Sequence, residues 1–205
     1  MRSIALFVCS WLLTSVSEAQ NNSLLFDGVD DKVEVLSTQS PFNLSDFTIE
    51  AWINANTWKA QQWQGTIISK DGGNQSGYVL RCGNNGRLSF TVGTGSGWPE
   101  IVSNPIMQVN TWHHVAAVLD NGTMKIYVDG NLEASSGGHS ILNSTVNLQI
   151  GESAGFAGRV FDGRIDEVRI WDTVRTDQEI SLNDTTNFTG TTPHLLAYYK
   201  MDQIS

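Results

Sequence analysis

The segment that most constrains the fold is WHHVAAVLDNGTMKIYVDG, residues 112–130. It contains two runs rich in β-branched and aromatic residues, Trp112–Leu119 and Met124–Val128, and a DNG sequence at 120–122 joins them. Asn-Gly and Asp-Gly steps supply the positive-φ residues that two-residue hairpin turns need. A second turn sequence, DGN at 129–131, follows at once. The segment therefore predicts a meander of antiparallel strands.

The same rhythm runs through the rest of the chain. Strand-like runs such as Phe47–Ile53 alternate apolar and polar residues, and Gly, Asn, Asp and Ser separate them. The other predicted strands are Leu24–Phe26, Lys32–Leu36, Gly65–Ser69, Tyr78–Cys82, Arg87–Val92, Asn147–Gly151, Gly163–Trp171 and Leu195–Lys200. One short helix near the C-terminus is predicted at Thr176–Leu182, where Thr176 and Glu179 have the spacing of a capping box. So many short strands predict an all-β fold, a two-sheet antiparallel β-sandwich of the jelly-roll type.

The N-terminus has the composition of a secretory signal peptide. Arg2 gives a short basic start, residues 4–13 are mainly apolar, and residues 15–19 end in an alanine. The apolar run is too short to span a bilayer. We therefore expect a signal peptide at 1–19, a single domain at 22–203, and a secreted, extracellular protein with no membrane span.

The charge of the chain argues against one class of partner. The formal net charge is −9, and only 12 residues are lysine or arginine, with no basic cluster among them. A chain of this kind is a poor binder of nucleic acid, because the phosphate backbone needs clustered positive charge. Acidity is compatible with a bound Ca²⁺, and solubility explains it equally well.

Segments spread over nearly the whole chain are similar to one protein family. They are LLFDGVDDKVEV (24–35), FTIEAWINANTW (47–58), TIISKDGG (66–73), GYVLRC (77–82), WHHVAAVLDNGTMKIYVDG (112–130), LQIGES (148–153) and DGRIDEVRIWDTVRT (162–176). Through these segments the chain resembles the laminin-G-like (LamG-like) jelly-roll domains of the concanavalin A-like lectin/glucanase superfamily. In many members a strand like YYK opens the domain, whereas here LLAYYKMDQ (195–203) comes last. It either closes the same sheet or begins a second module.

Members of the resembled family often hold one structural Ca²⁺. Its ligands there are the aspartate of an FDG-x-D turn, nearby carbonyls, and the aspartate of a Gly-x-Ile-Asp-Glu strand. On this sequence the resemblance places those ligands at Asp30, Asp166 and the carbonyl of Gly28. Hard oxygen donors of this kind are what Ca²⁺ requires. The alternative is that these residues only form tight turns and accept hydrogen bonds.

Aromatic side chains in loop-like positions are the candidate ligand-binding residues. Lectin sites combine an aromatic platform, which stacks on the apolar face of a sugar ring, with amide and carboxylate groups for the hydroxyls. Trp58 and Trp63 flank a polar stretch, Trp98 follows a GTGSG loop, and Tyr78 lies near a Gly-rich turn. The alternative is that these rings fill the core or brace loops, as large aromatic side chains often do.

An enzymatic function is not expected from this sequence. The retaining glucan hydrolases of the superfamily set two glutamates and an aspartate along one strand, so that two carboxyl groups face each other about 5–5.5 Å apart. No such run occurs here, and the glutamates are scattered. We therefore expect a non-catalytic, lectin-like module that binds carbohydrate. The alternatives are a cell-adhesion or matrix domain with an extracellular protein partner, and a divergent glycoside hydrolase in which Glu100 or Glu152 faces another carboxylate.

Overall fold

The computed structural model describes residues 23–36, 42–182, 188 and 192–202. The predicted signal peptide at 1–19 lies outside the described residues, as do both end residues of the predicted domain 22–203. The strands are β1 (Leu24–Asp27), β2 (Val33–Val35), β3 (Phe47–Ala55), β4 (Gly65–Ser69), β5 (Ser76–Gly83), β6 (Arg87–Thr94), β7 (Glu100–Val102), β8 (Trp112–Asp120), β9 (Thr123–Val128), β10 (Asn131–Ser136), β11 (Leu148–Ile150), β12 (Asp162–Trp171) and β13 (Leu195–Tyr199). A single α-helix, α1 (Asp177–Ser181), is found among the described residues.

These strands form two antiparallel sheets, which confirms the predicted β-sandwich. The first sheet has the order β1-β12-β3-β8-β9-β10, and β13 pairs with β12 beside β1. The second sheet has the order β2-β11-β4-β5-β6-β7. Because β13 joins the first sheet through β12, the LLAYYKMDQ segment adds a strand to this same sandwich. In the part of the chain that the structure describes, no helix has the length and apolar character needed to cross a membrane.

The predicted hairpin at β8–β9 is confirmed. Asn121 and Gly122 connect the strands with φ angles of +44° and +76°, as a two-residue turn requires. Asp129 and Gly130, with φ of +50° and +79°, make the next turn and lead into β10. Strand β10 was not predicted, because its sequence NLEASS is polar and largely exposed at the edge of the sheet. Strand β7, also not predicted, has only three residues.

The core lies between the two sheets and follows the two-residue period of the strands. On β3, Phe47, Ile49, Ala51 and Ile53 face inward and are fully buried. On β5, Tyr78, Leu80 and Cys82 face the same core from the opposite sheet. Burying one large apolar side chain in this way contributes about 1.5–3 kcal/mol. Because the domain makes its core with alternate residues, the remaining residues of each strand are free to form polar surfaces on the outside.

The outer face of the first sheet carries a buried cluster of charges. The carboxylate of Glu50 contacts the Nε2 atom of His114 at 3.0 Å and the Nη1 atom of Arg175 at 2.9 Å. Burial by itself would raise the pKa of Glu50, but the hydrogen bond and charge of His114 and the charges of Arg175 and Arg169 outweigh burial and lower it to about 2. Arg175 immediately precedes the predicted capping box, which is present at Thr176 and Glu179. The cluster therefore attaches the segment that leads into α1 to the first sheet.

Candidate functional site

The outer face of the second sheet carries the candidate site. Val79 and Arg81 on β5 point away from the core, since their neighbours Tyr78, Leu80 and Cys82 point into it. Val79 is only 2% exposed, yet it does not belong to the core between the sheets. Something other than the sandwich core must therefore cover this face. The cover consists of loops.

Three loops from distant parts of the chain close over Val79 and Arg81. Trp63 lies on the loop between β3 and β4, and Trp98 lies on the hairpin loop between β6 and β7. Phe156 and Arg159 lie on the loop between β11 and β12. Together with Asp71, these residues enclose a cavity of about 220 Å³, here called the outer pocket. Clefts for drug-sized ligands occupy about 300–1,000 Å³, so the outer pocket suits one sugar residue or the end of a chain.

Asp71 holds the β11–β12 loop in place. Its carboxylate accepts hydrogen bonds from the Ser153 hydroxyl, at 2.9 and 3.1 Å, and from the backbone N–H of Gly155, at 3.1 Å. The Ser69 hydroxyl also donates to Asp71 and accepts from the N–H of Ala154 at 2.9 Å. Asp71 is only 1% exposed. A buried carboxylate with this many donors fixes the start of the loop that carries Phe156 and Arg159.

Arg81 is the positive charge at the floor of the outer pocket. Its Nη2 atom lies 2.8 Å from the Glu100 carboxylate, and its Nε atom donates to the Ser89 hydroxyl at 3.4 Å. Ser89 in turn donates to Glu100. Strand register explains the grouping, because Arg81 pairs with Ser89 across β5 and β6, and β7 brings Glu100 alongside. The charge of Arg81 is therefore already matched within the protein.

Arg159 is placed differently, because aromatic rings surround it. The carbon at the centre of its guanidinium lies 4.7 Å from the centroid of the Trp63 ring and 4.1 Å from that of Phe156. Such cation–π contacts are worth about 0.5–2 kcal/mol each, depending on solvent exposure. The face of the Trp63 ring is therefore in contact with Arg159.

Trp98 is the ring of the outer pocket with the fewest aromatic and cationic contacts among the described residues. It is half-buried, and it makes no ring–ring or cation–π contact with any described residue. Its loop is fixed close by, since the Thr91 hydroxyl donates to the carbonyl of Pro99 at 2.8 Å and the N–H of Thr94 donates to the carbonyl of Gly97 at 3.0 Å. A half-exposed indole on a fixed loop is the arrangement that stacking against a sugar ring requires.

The structure thus brings together two of the four predicted ligand-binding residues, Trp63 and Trp98. Trp58 is half-buried and packs against the core between the sheets, outside the outer pocket. Tyr78 does not fit its predicted role, because its side chain is 1% exposed and its ring packs on Phe47 at a centroid distance of 4.7 Å. Burial also raises the pKa of the Tyr78 hydroxyl. Tyr78 alternates inward on β5, and the nearby Gly-rich turn does not change that direction.

The predicted calcium ligands are not brought together as a set. The carboxylates of Asp27, Asp30 and Asp31 lie within 4.8 Å of one another on the exposed turn after β1. The register of β1 and β12 places Asp162 opposite Asp27. Asp166 lies four residues further along β12, opposite Trp52, and therefore about 13 Å away at roughly 3.3 Å per residue. The assignment of Asp166 to this site is corrected for that reason.

Two details of the turn bear on a bound cation. The carbonyl of Gly28 already accepts a hydrogen bond from the Lys59 ammonium at 3.0 Å, so a positive charge occupies the side of the turn where that ligand was predicted. Both oxygens of Asp162 accept hydrogen bonds, from Asn56 at 3.0 Å and Thr57 at 2.7 Å. Of the three predicted metal ligands, only Asp30 therefore remains in an arrangement that fits Ca²⁺, together with Asp27 and Asp31.

Asp166 itself lies in a buried acidic setting. It is 1% exposed, and burial, followed by the charges of Glu167 and Asp202, raises its pKa to about 7. The backbone N–H of Glu167, a residue with a φ of +51°, donates a hydrogen bond to the carboxylate of Asp166 at 3.0 Å. Asp166 is thus part of an irregularity in the pairing of β12 with β3.

The two glutamates that a divergent hydrolase would use both contact positive charges. Glu100 contacts Arg81, as described above, and Glu152 contacts the Lys32 ammonium at 2.9 Å. Glu152 also accepts from the N–H of Gly158 at 3.0 Å. Each carboxylate therefore faces a cation, whereas glycoside hydrolysis uses two carboxyl groups that face each other.

A second cavity, of about 380 Å³, is open and polar. Its lining residues are Ser45, Asp46, Asn121, Gly122, Gly138, His139, Ser140 and Ile141. It has no tryptophan, tyrosine or phenylalanine ring on which a sugar could stack. The outer pocket is therefore the better candidate.

A family model described as the concanavalin A-like lectin/glucanases superfamily, of the laminin-G-like type, matches residues 27–181. The chain belongs to this family. No curated protein matches the sequence of this LamG-like domain.

Solved structures similar to this LamG-like domain include binding proteins. One is described as a candidate carbohydrate binding protein from Bacteroides ovatus, with 27% identity, a TM-score of 0.62, and coverage of 78% of this chain and 46% of that protein. The chain thus spans less than half the length of that protein. Another is the CBM40 of the Ruminococcus gnavus IT-sialidase, with 17% identity, a TM-score of 0.63, and coverage of 79% of this chain and 96% of that one. The mouse laminin alpha1 domains LG4-5 match with 16% identity, a TM-score of 0.56, and coverage of 73% and 40%.

Five residues of the outer pocket in this LamG-like domain were not predicted from the sequence: Asp71, Val79, Arg81, Phe156 and Arg159. Arg81 carried a usable signal, since it alternates with Leu80 and Cys82 and must therefore face outward. Phe156 and Arg159 carried none, because only the packing of the β11–β12 loop over β5 places them there. Asp71 looked like an ordinary turn residue after β4.

Proposed function

We propose that this LamG-like domain is a secreted, non-catalytic carbohydrate-binding module and that the outer pocket holds the sugar. The observation that carries the proposal is the convergence of Trp63 and Trp98, from loops far apart in sequence, over an outward sheet face that contains Arg81. Structures similar to it include a candidate carbohydrate binding protein and the CBM40 of a sialidase, the latter also solved with α2,6 sialyllactose. These relatives support carbohydrate as the class of ligand.

The proposed mechanism is rigid presentation of a stacking surface. The strands of the second sheet fix the three loops, and the half-exposed ring of Trp98 packs on the apolar face of a sugar. Phe156, which is 37% exposed, offers a second apolar surface at the rim. The sugar hydroxyls would then meet Arg81 on the floor, whose hydrogen-bonded pairing with Glu100 already sets its direction.

A glycan array tests the proposal with one variant and a matched control. Trp98→Ala removes the free ring, and we expect it to weaken binding of the best glycan at least tenfold, because burial and stacking of one aromatic ring are worth more than about 1.4 kcal/mol. Trp112→Ala is the control, because Trp112 is also a half-buried tryptophan but belongs to the first sheet. Thermal unfolding of both variants shows whether they are folded.

Two results would contradict the proposal. One is a wild-type protein that binds no glycan on the array, which favours the alternative of an extracellular protein partner. The other is a Trp98→Ala variant that binds as tightly as the wild type. The larger exposed apolar side chains lie on separate elements, such as Leu25 on β1 and Leu132 on β10. Binding by a protein partner would therefore be tested by adding candidate matrix proteins to the same variants.

Structural calcium remains a proposal, limited to the turn that carries Asp27, Asp30 and Asp31. If Ca²⁺ binds there, adding it to chelator-treated protein raises the midpoint of thermal unfolding, and Asp30→Asn removes that increase. Asp166→Asn is expected to leave the increase unchanged. Equal unfolding curves with Ca²⁺ and with chelator would exclude the site. Secretion is checked separately by the mass of the exported protein, which should lack residues 1–19.

A further inference from the structure

Arg159 differs from Arg81, the other cation that lines the outer pocket. Its guanidinium lies over the rings of Trp63 and Phe156, as described above, and it is half-buried. Among the described residues it forms no ion pair, and its side chain donates no hydrogen bond. Guanidinium N–H donors lie in the plane of the group, so contacts made over ring faces leave them uncommitted.

The carboxylates nearby are already engaged. Asp71 accepts from Ser69, Ser153 and Gly155, and it is needed there to hold the β11–β12 loop. Glu100 accepts from Arg81 and Ser89. Two guanidinium groups and two carboxylates therefore share this face, and Arg159 is the charged group without a hydrogen-bonded partner.

Burial makes that position costly for Arg159. Burial first, and then the positive charge of Arg81, lower the pKa of Arg159, while the negative charge of Asp71 opposes them. Arginine nevertheless stays protonated in proteins. The chain has a net charge of −9 and only 12 lysine and arginine residues, so placing two of them in one pocket is not a general surface property. An anion that entered the pocket would supply the missing partner.

We infer that the sugar recognised by the outer pocket carries an acidic group, a carboxylate or a sulfate, and that Arg159 is the residue that binds this group. This inference rests on the proposed function. Planar carboxylates and tetrahedral oxyanions such as sulfate both present two oxygens to the paired N–H donors of a guanidinium, and such charge-assisted hydrogen bonds are about twice as strong as neutral ones. Trp63 then acts as a positioning residue, since its ring holds the guanidinium, and Trp98 remains the ring on which the sugar stacks.

The test measures binding of matched glycan pairs that differ only in the acidic group. The pairs are a glucuronic acid-terminated and a glucose-terminated oligosaccharide, a sialylated and an unsialylated one, and a sulfated and an unsulfated one. We expect the wild type to bind at least one acidic member about tenfold or more tightly than its neutral partner. The carboxylate and sulfate pairs distinguish the two kinds of acidic group.

Two substitutions assign the preference to Arg159. Arg159→Gln should remove most of the acidic preference, because it should lower affinity for the acidic member of each pair by a larger factor than affinity for the neutral member. Arg159→Lys, which keeps the charge but loses the paired donors, should retain part of the preference. Arg164→Gln is the control, because Arg164 is an exposed arginine on β12 of the first sheet. Thermal unfolding midpoints confirm that the variants are folded.

The outcomes separate this inference from the proposed function. Equal binding of acidic and neutral partners by the wild type overturns the inference and leaves a neutral-glycan module. An acidic preference that persists in Arg159→Gln overturns the assignment to Arg159. No binding to any glycan overturns the proposed function, and the inference with it.

Discussion

The buried charge of Glu50 makes a strong prediction about stability and pH. Its pKa falls from an ordinary value of 4.5 to about 2 in the folded protein. One pKa unit corresponds to about 1.4 kcal/mol, so ionised Glu50 contributes about 3 kcal/mol to the free energy of unfolding. Because the folded-state pKa is lowered, this contribution is fully present above about pH 4.5 and is lost as the pH falls towards 2. Glu50→Gln, which keeps the shape but not the charge, should remove it.

Urea unfolding at several pH values checks this prediction. At pH 7 the Glu50→Gln variant should be about 3 kcal/mol less stable than the wild type. In a separate thermal unfolding experiment, this difference corresponds to a fall of about 6–12 °C in the midpoint for a domain of this size. The difference should shrink steadily between pH 4.5 and pH 2.5, because in this range the Glu50 carboxyl takes up its proton in the unfolded chain but stays largely ionised in the folded protein. The control is Glu133→Gln, because Glu133 lies on the edge strand β10 and forms no ion pair with a described residue.

The reasoning fails under two results. Glu133→Gln should change stability by less than about 0.5 kcal/mol, as is usual for surface substitutions. If Glu50→Gln behaves like that control at pH 7, then His114 and Arg175 do not stabilise the buried charge. If the difference is large but the same at pH 3 and pH 7, the lost stability comes from packing rather than from the ionised carboxylate.

Three further predictions concern the turn, the helix and the loop. Gly122→Ala should lower the free energy of unfolding by about 1–2 kcal/mol, because φ is +76° and a Cβ would lie 2.8 Å from the His139 carbonyl oxygen; an unchanged chemical denaturation midpoint would contradict this. Thr176→Ala removes the cap that accepts from the N–H of Glu179 at 3.2 Å and should cost about 1 kcal/mol, measured in the same way, with Thr176→Ser as a control that keeps the hydroxyl. Asp71→Asn weakens the anchoring of the β11–β12 loop and should lower glycan affinity in calorimetry, whereas equal affinity would show that the loop does not need this carboxylate.

The fold was largely predictable because its signals are local. The DNG turn with flanking alternation determined β8 and β9, and the Thr176–Glu179 spacing determined where α1 begins. Strand β10 was missed since a polar, exposed edge strand has no apolar period to reveal it. Which strands become neighbours, such as β12 between β1 and β3, follows from packing of the whole chain and not from any short pattern.

The site was only partly predictable because its residues meet through that packing. Trp63 and Trp98 could be selected as loop aromatics, but the same criterion also selected Trp58 and Tyr78, whose contacts are with the core. Alternation along β5 would have excluded Tyr78. For the calcium ligands, the resemblance supplied Asp166, whereas strand register places Asp162 next to the turn.

The three loops of the outer pocket attach to different strands, and each can vary without disturbing the ladder of hydrogen bonds below it. Residues 95–99, which carry Trp98, are joined at both ends to a hairpin that is complete without them. Related proteins could thus exchange one loop at a time and acquire new sugar preferences by small steps. In the laboratory, a library randomised over those five positions should yield altered specificity at little cost in folding, while no excised peptide would reproduce the binding surface.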